Sequence, residues 1–178
     1  RFIDDLFMIF MGSEQELKDF ISFANSLFPS IKVTAEYSYE TRAVNYLDMK
    51  VWIDEKGFIR TDLYRKENQK TTYLLPSSCH PKHICNNIPY SLAYRLLRIC
   101  WNRELLKERL EDLMEALLDR GYRRRSVQAQ FDKVMPLNRE DALKKVEKER
   151  KPLDRVRFVV RYDPRLPDLS GILSRQWS

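Results

Sequence analysis

The sequence predicts an α+β molecule, and three observations carry that prediction. Through the first 66 positions apolar residues alternate with polar ones in short runs that end in turn residues. Beyond about residue 66 the apolar spacing lengthens to that of a helix. Apolar residues make up 43% of the 178 and charged residues 33%, enough to bury a core and still present a polar surface.

Residues 1–12 alternate and are rich in Phe, Ile and Met, so two short strands are expected, with Asp4-Asp5 as the tight turn between them. Ser13 followed by Glu16 forms a capping box. It opens a helix with Leu17, Phe20, Ile21, Ala24, Leu27 and Phe28 on one face, which Pro29 closes. Ile31, Val33, Ala35 and Tyr37 alternate with polar residues and predict a half-buried strand. Leu47, Met49, Val51 and Ile53 alternate again; the turn Asp54-Glu55-Lys56-Gly57 then returns the chain as Phe58 to Tyr64, the second arm of a hairpin. This order of hairpin, helix, strand and hairpin predicts an antiparallel sheet with one helix.

The second part reads as helices. Pro89 is placed near the start of one that runs to about Cys100, with Leu92, Leu96 and Ile99 on one face. Asn102 caps the next, where Leu106, Leu110, Leu113 and Leu117 recur and Gly121 ends the helix. A third spans Ser126 to Val134 and stops at Pro136. The short turn at Arg120-Gly121-Tyr122 between two helices has the outline of a helix-turn-helix. Asn138 caps a charged helix to about Arg150, Arg157 to Tyr162 reads as a short strand, and Leu169 to Trp177 as a last amphipathic helix.

Composition removes several classes. Aromatic residues at 12% argue against disorder, and 4 Gly with 8 Pro argue against collagen-like or low-complexity chains. No apolar run approaches the roughly 20 residues that cross a bilayer, and Asp4 and Asp5 break any signal-peptide reading. No membrane partner is expected. Three cysteines fit a reducing compartment better than a disulfide scaffold. The chain begins at Arg1 without Met, as a piece of something longer would. Residues 1–78 hold 10 basic and 12 acidic residues, whereas 79–178 hold 22 and 14. A basic second part suggests a polyanion partner.

Three groups of residues carry candidate chemistry. The first is Phe2-Ile3-Asp4-Asp5: adjacent carboxylates at the tip of an apolar hairpin repel each other, yet suit a divalent cation that demands oxygen ligands. An ordinary Asp-Asp turn is the plain alternative. The second, Cys79-His80-x-x-His83-x-Cys85, has zinc-ligand types, but adjacent Cys79 and His80 rarely bind one ion and Pro81 restricts the loop. A capped loop is the preferred reading there. The third, Arg123-Arg124-Arg125 with Arg120 nearby, crowds cations at the positive end of a helix, an arrangement that an anion such as a phosphate backbone relieves.

In this context the sequence resembles the reverse transcriptases. More narrowly, it resembles those of Penelope-like retroelements, relatives of telomerase reverse transcriptase. The resemblance rests on the Phe2-Ile3-Asp4-Asp5 hairpin followed by a helix, a strand and a hairpin with Tyr46-Leu47-Asp48. It continues in order through Thr61-Asp62-Leu63-Tyr64-Arg65-Lys66, Ser78-Cys79-His80-Pro81-Lys82-His83, Ile88-Pro89-Tyr90-Ser91 and Arg95 to Cys100. Helical segments of this kind in these elements are also described as an animal helix-turn-helix domain.

The resemblance implies a partial polymerase palm over 1–66, a helical thumb with a helix-turn-helix over 67–150, and a short strand and helix over 151–178. Asp4 would be the metal-binding carboxylate and Asp5 its neighbour, with Mg²⁺ or Mn²⁺ as the ions. Phe2 would lie beside the incoming nucleotide. Tyr46, Leu47 and Asp48 would form the primer grip, and Lys32 would neutralise or protonate the leaving pyrophosphate. Arg120, Arg123, Arg124, Arg125, Lys82, Arg95 and Arg98 would hold a template–primer duplex by its backbone. The resemblance also implies nuclear localisation. Another palm Asp and the fingers are expected before Arg1, and a GIY-YIG endonuclease often follows such a region, so this chain by itself is expected to be inactive as a polymerase. Two alternatives stay open: a non-catalytic helix-turn-helix protein derived from such an element, and an inert decayed copy.

Overall fold

The computed structural model describes residues 4–66, 72–144, 163, 165 and 169–176. The chain divides into two compact units, Arg1–Gln69 and Lys70–Ser178, and the class is α+β.

In the first unit, helix α1 spans Glu14–Leu27. Its capping box forms as the sequence dictates: Glu16 N–H donates to Ser13 Oγ at 3.3 Å, and Ser13 N–H donates to Glu16 Oε2 at 2.8 Å. Phe28 is already extended, as the residue before a proline must be. Leu17 is the one buried residue among the described residues of this unit. Phe20, Phe23, Leu27 and Phe28 remain exposed.

Strands β1 (Ala43–Tyr46), β2 (Met49–Ile53) and β3 (Ile59–Leu63) form an antiparallel meander in that order. Tyr46 pairs with Met49, so Leu47-Asp48 is a two-residue turn, and Leu47 takes a left-handed φ of 56°. The β2–β3 turn is the expected Asp54–Gly57, with Gly57 at φ 83°. Asp54 organises it: Oδ1 accepts from the amides of Lys56 (3.0 Å) and Phe58 (2.8 Å), and Oδ2 from Arg60 Nε (2.7 Å).

Two expected elements of this unit do not form. Asp4 lies in a turn and Asp5 in an isolated bridge, but Leu6 to Met11 belongs to no strand. A lone hairpin is marginal in water, and these side chains gain little by burial, Leu6 being 68% and Met11 92% exposed. Arg1 to Ile3, the other expected arm, lies outside the described residues. The expected strand at Ile31–Tyr37 is also irregular. The reason is local competition: the Asn25 side chain accepts from Val33 N–H (2.6 Å) and donates to Val33 C=O (3.0 Å), taking both groups a ladder would use.

The second unit contains α2 (Lys82–Ile99), α3 (Arg103–Asp119), α4 (Arg124–Val134), α5 (Arg139–Leu143) and α6 (Leu169–Gln176). α2 packs on α3, α4 and α5, and α3 packs on α4. The expected leucines Leu106, Leu110, Leu113 and Leu117 are buried, facing a core that includes Ala93, Leu97, Val127 and Phe131. Asn102 Oδ1 accepts from Leu105 N–H at 2.9 Å, the expected cap. Arg103 fastens the start of α3 to the chain after α4, donating to the carbonyls of Met135 and Leu137.

Boundaries differ from expectation in three places. α2 begins seven residues before Pro89, which sits inside the helix rather than near its start. The proline removes one helical donor, but its ring is fully buried, and that packing offsets the missing bond. α4 begins at Arg124 rather than Ser126, since Arg123 C=O accepts from both Ser126 and Val127. Asn138 does cap α5, yet the helix ends at Leu143 where Lys144 turns extended; with Leu143 exposed, little burial holds a longer helix. Residues 145–150 and the expected strand Arg157–Tyr162 lie outside the described residues, as does Trp177 beyond α6.

Candidate nucleic-acid interface

Helix α3 ends where Gly121 adopts φ 87°, a conformation that costs a side-chain-bearing residue energy. Gly121 N–H and Tyr122 N–H return to the carbonyls of Leu118 (2.8 Å) and Leu117 (3.0 Å). Tyr122 is buried beneath the turn and donates its hydroxyl to Leu74 C=O at 2.9 Å; burial, and then the nearby Cys85, push its pKa up. This anchored turn sets the start of α4.

Along α4 the residues Val127, Phe131 and Val134 face the core. The opposite side carries Arg124, Arg125, Gln128, Ala129 and Asp132, which together line a shallow, open surface depression. Arg123, Arg124 and Arg125 are all exposed, and Arg123, at the N-cap position, supplies no capping side chain. Three cations therefore stand at the positive end of the helix dipole, an arrangement favourable only to an approaching anion. Gln128 Nε2 donates to Asp132 Oδ1 at 2.8 Å.

The other expected cations are placed differently. Arg120 is half-buried and donates to Tyr73 C=O at 2.9 Å, so it ties the turn to the segment before α2. Lys82, Arg95 and Arg98 are exposed on α2, and none lines the depression. Gln128, Ala129 and Asp132 did not stand out in the sequence. Their signal was the spacing complementary to Val127, Phe131 and Val134.

In the first unit, Asp4 and Asp5 are both exposed, and Phe2 lies outside the described residues. Asp5 C=O accepts from Tyr46 Oη at 3.5 Å, and the Phe7 and Tyr46 rings lie 5.4 Å apart. The segment with the carboxylate pair thus touches the β1–β2 hairpin that carries Leu47 and Asp48. Lys32 donates to Asn25 C=O at 3.2 Å near the end of α1. Among the described residues no group of three or more His, Cys, Asp or Glu could hold a metal ion. Of the cysteine–histidine run, Cys85 is buried against Leu75 C=O, His80 Nδ1 lies 3.1 Å from Ser78 Oγ, and Cys79 is exposed.

Residues 72–132 match the animal helix-turn-helix domain family. The match covers the segment before α2, then α2, α3 and α4 as far as Asp132, and no part of the sheet. No curated protein and no solved structure matches the chain. The helix-turn-helix segment holds the anchored Gly121 turn and nearly all of the basic helix after it. No helix among the described residues is long and apolar enough to cross a membrane.

Proposed function

We propose that the helical unit binds nucleic-acid duplex, with α4 as the helix that approaches the groove. One observation carries this reading: α4 offers an outward stripe that begins with exposed arginines, mounted on α3 through the Gly121 turn. In helix-turn-helix proteins the second helix enters the major groove and its first residues reach the bases. The family match over 72–132 supports the same role. The test is fluorescence anisotropy of a labelled duplex with the full chain. Replacing Arg124 and Arg125 together with Ala weakens binding by about tenfold or more at low salt. Undiminished binding by that double variant contradicts the assignment.

A finer reading is favoured by the contact between Tyr46 and Asp5. In it, the first unit is part of a reverse-transcriptase palm of the Penelope-like kind, and the second is its thumb on a template–primer duplex. The contact supports this reading because a palm needs its carboxylate turn beside the hairpin that grips the primer. The exposed apolar side of α1 suits a sheet-and-helix layer whose remaining strands come from another segment. Asp4 and Asp5 would contribute two ligands to an ion site completed by a further carboxylate, and the ion would supply two-metal phosphoryl-transfer chemistry. Nuclear residence is part of the same proposal. In the complete polypeptide carrying this sequence, Asp4→Asn abolishes primer extension and leaves duplex binding intact. Full extension by that variant contradicts the palm reading and leaves duplex binding by α4 standing.

A further inference from the structure

The stripe on α4 contains an element that phosphate binding does not explain. Asp132 lies in the same depression as Arg124 and Arg125, where a carboxylate repels a polyanion. Its partner is Gln128, one helical turn nearer the arginines, at 2.8 Å. A carboxylate only accepts hydrogen bonds, so the amide nitrogen of Gln128 must face Asp132. That contact fixes the orientation of the side-chain amide. Oε1 and the second amide hydrogen remain for a partner outside the protein.

We infer that Gln128 is a base-reading residue, held in register by Asp132, and that it selects adenine in the major groove of duplex DNA. This rests on the reading of α4 as the groove-facing helix. An amide offering one acceptor and one donor side by side matches the N6 donor and N7 acceptor of adenine. A glutamine free to rotate could present the pair either way, at an entropic cost on binding; the bond to Asp132 removes that freedom beforehand. Ala129, beside Gln128 in the depression, adds little bulk and leaves room for a base edge. The partner is DNA rather than RNA duplex, because the deep, narrow major groove of A-form RNA is closed to side-chain readout. Asp132 is a positioning residue: it discourages indiscriminate phosphate binding at that end of the stripe and orients its neighbour.

The experiment selects from DNA duplexes with a randomised central segment, using the full chain, and then measures affinity for the preferred duplex and its single-base variants. The wild type prefers adenine at one position by about tenfold. Gln128→Ala removes that preference. Asp132→Ala reduces the preference while raising affinity for every duplex, two opposite effects that a merely structural role for Asp132 would not produce. Binding without any base preference, a preference that survives Gln128→Ala, or equal affinity for RNA duplex overturns the inference, and each leaves duplex binding by α4 intact. Failure of the duplex-binding reading has a different signature: the Arg124→Ala, Arg125→Ala double variant binds as the wild type does. Both substitutions in the Gln128–Asp132 pair are on exposed positions, so the fold is retained.

Discussion

Gly121 and Arg120 show how much a single residue decides at the turn between α3 and α4. Gly121 holds φ 87° with open space where a Cβ would stand, so the cost of a side chain there is conformational rather than steric. Gly121→Ala is expected to lower stability by about 1 kcal/mol in urea denaturation, the usual cost of a left-handed residue. No change would mean that the turn relaxes without loss. Arg120 was expected to hold a duplex backbone, and in the structure its Nε donates to Tyr73 C=O. The partner lies 47 residues away in sequence, which is why no local pattern revealed it. Arg123, Arg124 and Arg125 were legible because their crowding at a helix start needs no distant information.

At the scale of the element, caps, turns and the β2–β3 hairpin were readable, whereas the strands expected at 6–11 and 31–37 do not form. Ser13 with Glu16, Asn102, Asn138 and Gly57 each act within a few residues, and each performs the expected task. The Ile31–Tyr37 segment has the alternation of a strand, but Asn25 takes the backbone groups of Val33. α2 runs through Pro89 because the ring is buried, a tertiary effect outweighing a local rule. The β2–β3 hairpin gives a prediction of its own. The Phe58 amide above all, with Arg60 and the Lys56 amide, holds the Asp54 carboxyl below its ordinary value of 3.8. A depressed carboxylate pKa contributes stability that is complete above that ordinary value and is lost as pH falls through the lower, folded value. The Phe58 amide proton, followed by NMR, should therefore titrate with a midpoint below 3.8, and Arg60→Ala should raise that midpoint. A wild-type midpoint at or above 3.8 would contradict the role given to Asp54.

For the whole molecule, the two units differ in what holds them together. The helical unit buries a continuous set of side chains, with Leu117 and Val127 wholly enclosed, whereas the described part of the first unit buries Leu17 alone. Leu117→Ala is accordingly expected to destabilise the helical unit by about 3 kcal/mol, measured by loss of helical circular dichroism in denaturant. A cost near zero would mean that the α3–α4 core collapses onto the vacancy. The helical core was legible because one helix period repeats over many residues. The incomplete burial of the first unit was not, because its apolar spacing is that of a buried layer and gives no sign of whether that layer is covered. The basic start of α4 accordingly rests on the better-buried of the two units.

The most direct test of that account is the salt dependence of duplex binding by the full chain, compared between the wild type and a variant with Arg123, Arg124 and Arg125 replaced by Ala. Each arginine that neutralises a phosphate releases counterions, so the slope of log affinity against log salt should fall in magnitude by about one unit per contacting arginine. A flatter slope with the fold intact supports α4 as the duplex-binding helix. An unchanged slope would mean that the duplex, if bound, meets another surface, and the role given to α4 would be wrong.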